Sequence, residues 1–196
     1  MSFARLLLPL LLLVLGAFGC RERNRAAVAR RTDALPATSA VASRASLLSG
    51  TELLRFKEAV TSQWGADLSV LRVEIWQDRA ELQLRAPNDP AAFVSFVYTG
   101  SSTFEGPFPL TRAGSGNADS NLFGFASVDW SGVPGTLEQA KARVDPQHGE
   151  VSRLLVRRNL PHDDSVGLRV YVGSPYRDSH VDADARGRLL EAGRYP

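Results

Sequence analysis

Cysteine, lysine and histidine are scarce in this chain, and each shortage removes a class of chemistry. Cys20 is the single cysteine among 196 residues, so no internal disulfide can form and the folded part is held by its core alone. Two lysines stand against 21 arginines, a bias of the kind codon usage produces, so an arginine at a given position carries little weight by itself. The three histidines are His148, His162 and His180, and none belongs to a His-Glu-x-x-His zinc motif. No Gly-x-Ser-x-Gly nucleophile elbow occurs. Gly114-Ser115-Gly116 follow no strand-to-helix phosphate motif. The main apolar run, Leu6 to Leu15, is broken by Pro9 and falls well short of the roughly 20 residues a membrane-spanning helix needs.

What that run does offer is a secretion signal. Arg5 supplies a charged n-region, Leu6 to Leu15 an apolar h-region, and Gly16-Ala17-Phe18-Gly19 a small or apolar stretch ahead of Cys20. The run Gly16-Ala17-Phe18-Gly19-Cys20 resembles the lipobox of bacterial lipoproteins, with Ala17 where that family favours Leu. The resemblance implies that residues 1–19 are a signal peptide removed on export. It also implies that the Cys20 thiol carries a diacylglycerol and that the new amine is acylated. Two or more acyl chains give stable anchoring where one gives marginal binding. In lipoproteins of double-membraned bacteria Asp after the cysteine is the usual inner-membrane retention signal. This chain has Arg21, which implies the periplasmic face of the outer membrane if the host has two membranes.

Residues 20–49 read as a tether between the lipid and a domain. The stretch is rich in Ala, Arg, Ser and Thr, contains Pro36 and has no aromatic residue, so it offers little to a packed core. From Arg21 to Ser49 six arginines face Glu22 and Asp33, a net charge of +4. From Gly50 onward 16 basic and 19 acidic residues leave a net of −3. A basic segment beside an acyl anchor suits anionic head groups. Nucleic acid, the other partner of a basic arm, is disfavoured by export and by the lack of interleaved aromatics.

Residues 50–196 suffice for one domain with a sizeable core. Leu53, Leu54, Phe56, Val60 and Trp64 recur at helical spacing, with Thr51 or Gly50 as cap and Gly65 as terminator. Val70 to Trp76 and Ala80 to Arg85 alternate as a hairpin about Gln77-Asp78-Arg79. Pro87 to Pro90 reads as a loop and Phe93 to Thr99 as a buried strand. Gly106 and Pro107 precede a short strand at Phe108 and Leu110. After a Gly/Ser/Asn loop, Gly135 and Thr136 open a second helix through Val144. Strands are expected at Gly149–Arg158, Gly167–Val172, Ser179–Ala185 and Arg188–Leu190.

Gly50-Thr51 is echoed by Gly135-Thr136, and Val97-Tyr98-Thr99-Gly100-Ser101 by Val170-Tyr171-Val172-Gly173-Ser174. The echoes suggest two diverged helix-then-strands units, residues 50–111 and 122–196. Each would leave one sheet face bare, and the two would bury those faces together. The expected class is α+β, an antiparallel sheet or sheets with helices on one side.

The ending Val181-Asp182-Ala183-Asp184-Ala185-Arg186-Gly187-Arg188-Leu189-Leu190 resembles the last strand-turn-strand of PepSY-type envelope domains, where Asp opens the turn and Gly closes it. Locally, Asp184 can accept backbone hydrogen bonds and Gly187 can take positive φ. The resemblance implies binding, inhibition or assembly outside the cytoplasm and brings no shared catalytic site. The segment Leu122-Phe123-Gly124-Phe125 through Asp129-Trp130, with Pro134 and a helix following, is similar to uncharacterised bacterial envelope proteins.

Among polar clusters, Asp178, His180, Asp182 and Asp184 share one face of a strand and are the candidate metal ligands. An edge strand carries such charges to discourage sheet-to-sheet pairing, and that reading is preferred. A calcium loop beginning at Asp182 fails, because Arg186 takes a ligand position and Gly193 stands where Glu is needed. Glu74 and Glu81 face each other across a hairpin like a carboxylate pair, but with Arg72, Arg79 and Arg85 nearby they read as a solvated face. Arg153, Arg157 and Arg169 beside Tyr171 are the candidate binding residues for an anionic envelope polymer or a protein partner. Trp64, Trp76 and Trp130 are assigned to the core, with Trp76 able to act as a contact anchor on the outer face. The sequence therefore favours a lipid-anchored, non-catalytic binding or assembly domain that needs no cofactor. The rival is an envelope enzyme whose site carries no recognisable motif.

Overall fold

The first helix begins one residue before the expected caps. Ser49 holds the N-cap position of α1 (Gly50–Trp64), and its side chain accepts from the Glu52 amide at 3.4 Å. In this computed structural model residues 45–111, 117–160 and 162–191 are described. The signal sequence, Cys20 and the tether as far as residue 44 lie outside the described residues. Leu53, Phe56 and Val60 bury one side of α1, and Gly65 ends it with φ 87°.

The strands follow the alternation in the sequence. A hairpin joins β1 (Ser69–Trp76) to β2 (Ala80–Ala86), closed by the Trp76 amide on the Arg79 carbonyl at 2.8 Å. Next comes β3 (Asp89–Tyr98), which takes in Asp89 and Pro90 and shrinks the expected loop to Pro87 and Asn88. In β4 (Phe104–Pro109) Gly106 and Pro107 lie within the strand rather than ahead of it, joined by a cis peptide bond. Proline is tolerated there because β4 is an edge strand. Two residues, β5 (Phe123–Gly124), pair with the start of β1.

The second helix, α2 (Val133–Val144), starts two residues before Gly135, with Pro134 in its first turn. Then come β6 (Glu150–Arg158), β7 (Val166–Gly173) and β8 (Asp178–Asp184). Arg188–Leu190, expected as a last strand, makes only a bridge between Leu189 and Ala183. The turn before it is as expected. Asp184 Oδ1 accepts from the Arg186 and Arg188 amides at 2.9 and 3.0 Å, and Gly187 sits at φ 80°.

All strand pairs are antiparallel and form one eight-stranded sheet in the order β4-β3-β2-β1-β6-β7-β8, with β5 also on β1. The fold is α+β. Each half is a helix followed by strands that step outward from the centre, and the halves meet edge to edge through β1 and β6. This corrects the expectation that the halves bury their bare faces against each other. Both helices cover the same face. Val73, Ile75, Leu82, Phe96, Leu154, Leu168, Val170 and Val181 point into a single core with Phe56, Val60, Leu137 and Ala140.

The five-residue echo does not mark equivalent positions. Tyr98 lies on the third strand of its half and is buried in the core, whereas Tyr171 lies on the second strand of the other half and points to the opposite face. The domain boundary also moves. Leu47, assigned to the tether, is 3% exposed within the core, and its amide bonds the Gln77 carbonyl at 2.8 Å.

Candidate binding face

The face of the sheet away from the helices carries an ordered layer of polar and aromatic side chains. Strand register sets it out in rows. Trp76, Arg153, Tyr171 and His180 stand abreast on β1, β6, β7 and β8. Beside them run Glu81, Glu74, Leu155, Arg169 and Asp182. A third row holds Arg157, Gly167 and Asp184. These positions follow from alternation, since every inward residue of β1, β6 and β7 leaves its neighbour facing out.

Glu74 is the centre of this layer. It is 5% exposed although no helix among the described residues covers it. Arg153 Nη1 donates to Glu74 Oε1 at 2.8 Å, and Arg72 donates to Glu74 Oε2. Charge-assisted bonds from two sides offset the desolvation of a carboxylate. The sequence reading of Glu74 and Glu81 as a solvated pair is corrected here. Their strand positions do oppose each other, but Glu74 is enclosed by arginines, and Glu81 accepts from Gln83 at 2.8 Å. Arg153, held by Glu74, lies 3.7 Å over the Tyr171 ring, and the Tyr171 and His180 rings are 5.9 Å apart. Arg79 lies 4.5 Å over Trp76 at the end of the same row.

The candidate binding residues Arg153, Arg157, Arg169 and Tyr171 do share this face, but two of the arginines are engaged within the protein. Arg153 serves Glu74, and Arg169 makes a forked pair with Asp182, Nε to Oδ1 at 2.8 Å and Nη2 to Oδ2 at 3.1 Å. Arg157 is exposed and, among the described residues, its side chain makes no ion pair or hydrogen bond.

The candidate metal ligands do share the outer side of β8, and they do not converge. Asp182 is held by Arg169. Asp184 is turned to its own loop, with Arg188 Nε at 2.7 Å. No group of three or more His, Cys, Asp or Glu residues placed to hold a metal occurs among the described residues. Burial alone would raise the Asp184 pKa, but the hydrogen bonds from Arg188 and Arg186 outweigh it and hold the carboxyl below its ordinary value.

Of the tryptophans, Trp130 is buried, with Nε1 donating to the Phe125 carbonyl at 2.9 Å, and Trp64 packs on Phe96 and Phe104. Trp76 lies on the open face, half-buried under Arg79. Sequence reasoning missed the enclosure of Glu74. The available signal was a glutamate flanked by Arg72 in its own strand with arginine on the neighbouring one, a pattern that neutralises a carboxylate away from water. No family model, no curated protein and no solved structure matches the chain.

Proposed function

We propose that this chain is a lipid-anchored cell-envelope protein whose domain binds a partner or aids assembly without catalysis, and that the sheet face opposite α1 and α2 is the contact surface. The observation that supports the reading is the preorganised layer on that face: Glu74 enclosed by Arg72 and Arg153, with Arg153 laid on Tyr171. Rigid planar groups held in place before contact lose little freedom when a partner lands on them. Such a surface suits a broad, shape-matched protein or polymer. In this reading Cys20 carries the lipid, residues 1–19 are removed, and the basic segment that follows lies against anionic head groups.

Two experiments test it. Mass spectrometry of membrane-extracted protein is expected to show an acylated N-terminal Cys20, and Cys20→Ser to leave the protein unprocessed or soluble. Recovery of intact residues 1–19 on the mature chain would overturn the anchor. For the face, a photo-crosslinking residue at Gln83 or Tyr171 is expected to give a discrete adduct in cells, while the same residue at exposed Glu138 on α2 gives none. Adducts from Glu138 alone would place the contact on the helical side and reject the sheet face.

A further inference from the structure

Within the open face one position is left unfilled. Gly167 stands opposite Arg157 on β6 and Asp184 on β8, and it lines a notch of about 20 Å³. Leu155, 5% exposed, forms part of the lining, with Arg157, Asn159, Arg169 and Asp182 around it. A cavity of this size admits about one or two water-sized groups. That matches the two oxygens of a carboxylate better than the four of a phosphate.

The charges around the notch are uneven. The other arginines of this face have carboxylate partners: Arg72 and Arg153 on Glu74, Arg79 on Asp78, Arg85 on Asp119 and Arg169 on Asp182. Arg157 has none among the described residues. Its guanidinium is a planar fork suited to a carboxylate.

We infer that the Arg157–Gly167 notch receives one Asp or Glu side chain of a protein partner. The inference rests on the sheet-face reading and narrows it to a partner with a protruding acidic residue. Charge favours a single-residue contact over an anionic membrane or polymer. The chain from Gly50 onward carries a net of −3, so a densely negative surface is repelled by the domain as a whole, while one carboxylate in an otherwise neutral contact is not.

The test uses the full chain with ¹⁵N-labelled arginine. The Arg157 Nε–H signal, assigned by its loss in Arg157→Gln, is followed while N-acetylglutamate, sodium phosphate or sodium chloride is added at constant ionic strength. The expected result is a saturable shift with N-acetylglutamate that is at least tenfold weaker with phosphate and absent with chloride. Gly167→Val fills the notch and is expected to abolish the shift; the signal of Arg55, on α1 away from this face, serves as the internal control. No saturable shift, or equal response to all three anions, overturns the inference. The crosslinking from Gln83 then separates the two readings. Adducts that persist unchanged in Arg157→Gln keep the sheet face and reject the notch. Adducts lost in Arg157→Gln, with the Tyr171 environment intact by its ring resonances, support both.

Discussion

Asp184 shows how one side chain can look like a ligand and serve a turn. Its carboxylate accepts the Arg186 and Arg188 amides and the Arg188 guanidinium, while Gly187 takes the positive φ that closes the loop. A Cβ on Gly187 would also lie 2.3 Å from Thr136 Oγ1, which donates to the Gly187 carbonyl. Asp184→Ala is expected to lower stability by about 1 kcal/mol, read from urea unfolding. Its depressed pKa fixes the sign with pH. The folded state favours the ionised form, so this stabilisation is present above the ordinary aspartate value of about 4 and is lost as pH falls through the lower folded value. Asp129 and Asp145 are depressed too, by the Ser131 hydroxyl and the His148 amide respectively, and act in the same direction. Stability is therefore expected to fall between about pH 5 and pH 2, and less steeply in Asp184→Asn. Among the described residues the nearby His180 makes no comparable bonds. His180→Ala is expected to change stability by less than about 0.5 kcal/mol. Added Zn²⁺ is expected to leave the melting temperature unmoved, and a zinc-dependent rise abolished by His180→Ala would reinstate β8 as a metal site.

The N-terminal boundary of the domain decides whether α1 folds well. Leu47 fills the core and Ser49 caps the helix, yet composition assigns both to the tether. A chain beginning at Ser46 keeps both. One beginning at Gly50 loses a buried leucine, worth about 2–5 kcal/mol, and a serine cap, worth about 1 kcal/mol. The shorter chain is expected to melt many degrees below the longer, and the longer within a few degrees of the mature protein; equal melting temperatures for the two would show that Leu47 contributes nothing. The two helices, the β1–β2 hairpin and strands β6 to β8 are legible in the sequence because 3.6-residue and 2-residue periods are local properties. Helix starts and strand ends are not, because distant partners set them. The gain of Asp89 by β3, paired with Ala86 across Pro87 and Asn88, is a local exception, but Leu47 is fixed by the distant Gln77 carbonyl. Arg188–Leu190 fails to become a strand for the same reason. It has one register pair with β8, and the chain there is pinned to α2 by Thr136. Of the candidate site, alternation correctly puts Arg153, Arg169 and Tyr171 on one face. It is silent on which arginine is already paired, since Glu74 and Asp182 come from other strands.

How the halves join was open to the same kind of reasoning. Alternation says which face a residue occupies and does not name the neighbouring strand. The charges on the outer face nonetheless argue against burying it: Arg72, Glu74, Arg153 and Arg169 could not all be enclosed between two sheets without heavy desolvation. Edge-to-edge pairing of β1 with β6 leaves them at the surface, in contact with one another, and lets one core run across both halves. The connection between the halves strengthens this. Phe125 and Trp130 stack at 4.6 Å, and both contact Phe56 of α1, at 6.3 and 6.0 Å. The Asp129 amide, in turn, bonds the Ala185 carbonyl at the far end of the chain at 2.9 Å. The halves are thus coupled by a strand pair, an aromatic cluster and a loop contact. Phe56→Ala, in the first half, is expected to cost about 3–5 kcal/mol. It is also expected to lower amide-exchange protection of the Leu168, Val170 and Val172 amides in β7 by the same free energy as for Leu82 in β2, because both report global unfolding. Tryptophan fluorescence and far-ultraviolet circular dichroism are expected to trace one coincident transition. Retained protection in β7 with loss in β2 would mean that the halves are separate folding units and that the shared sheet is not cooperative.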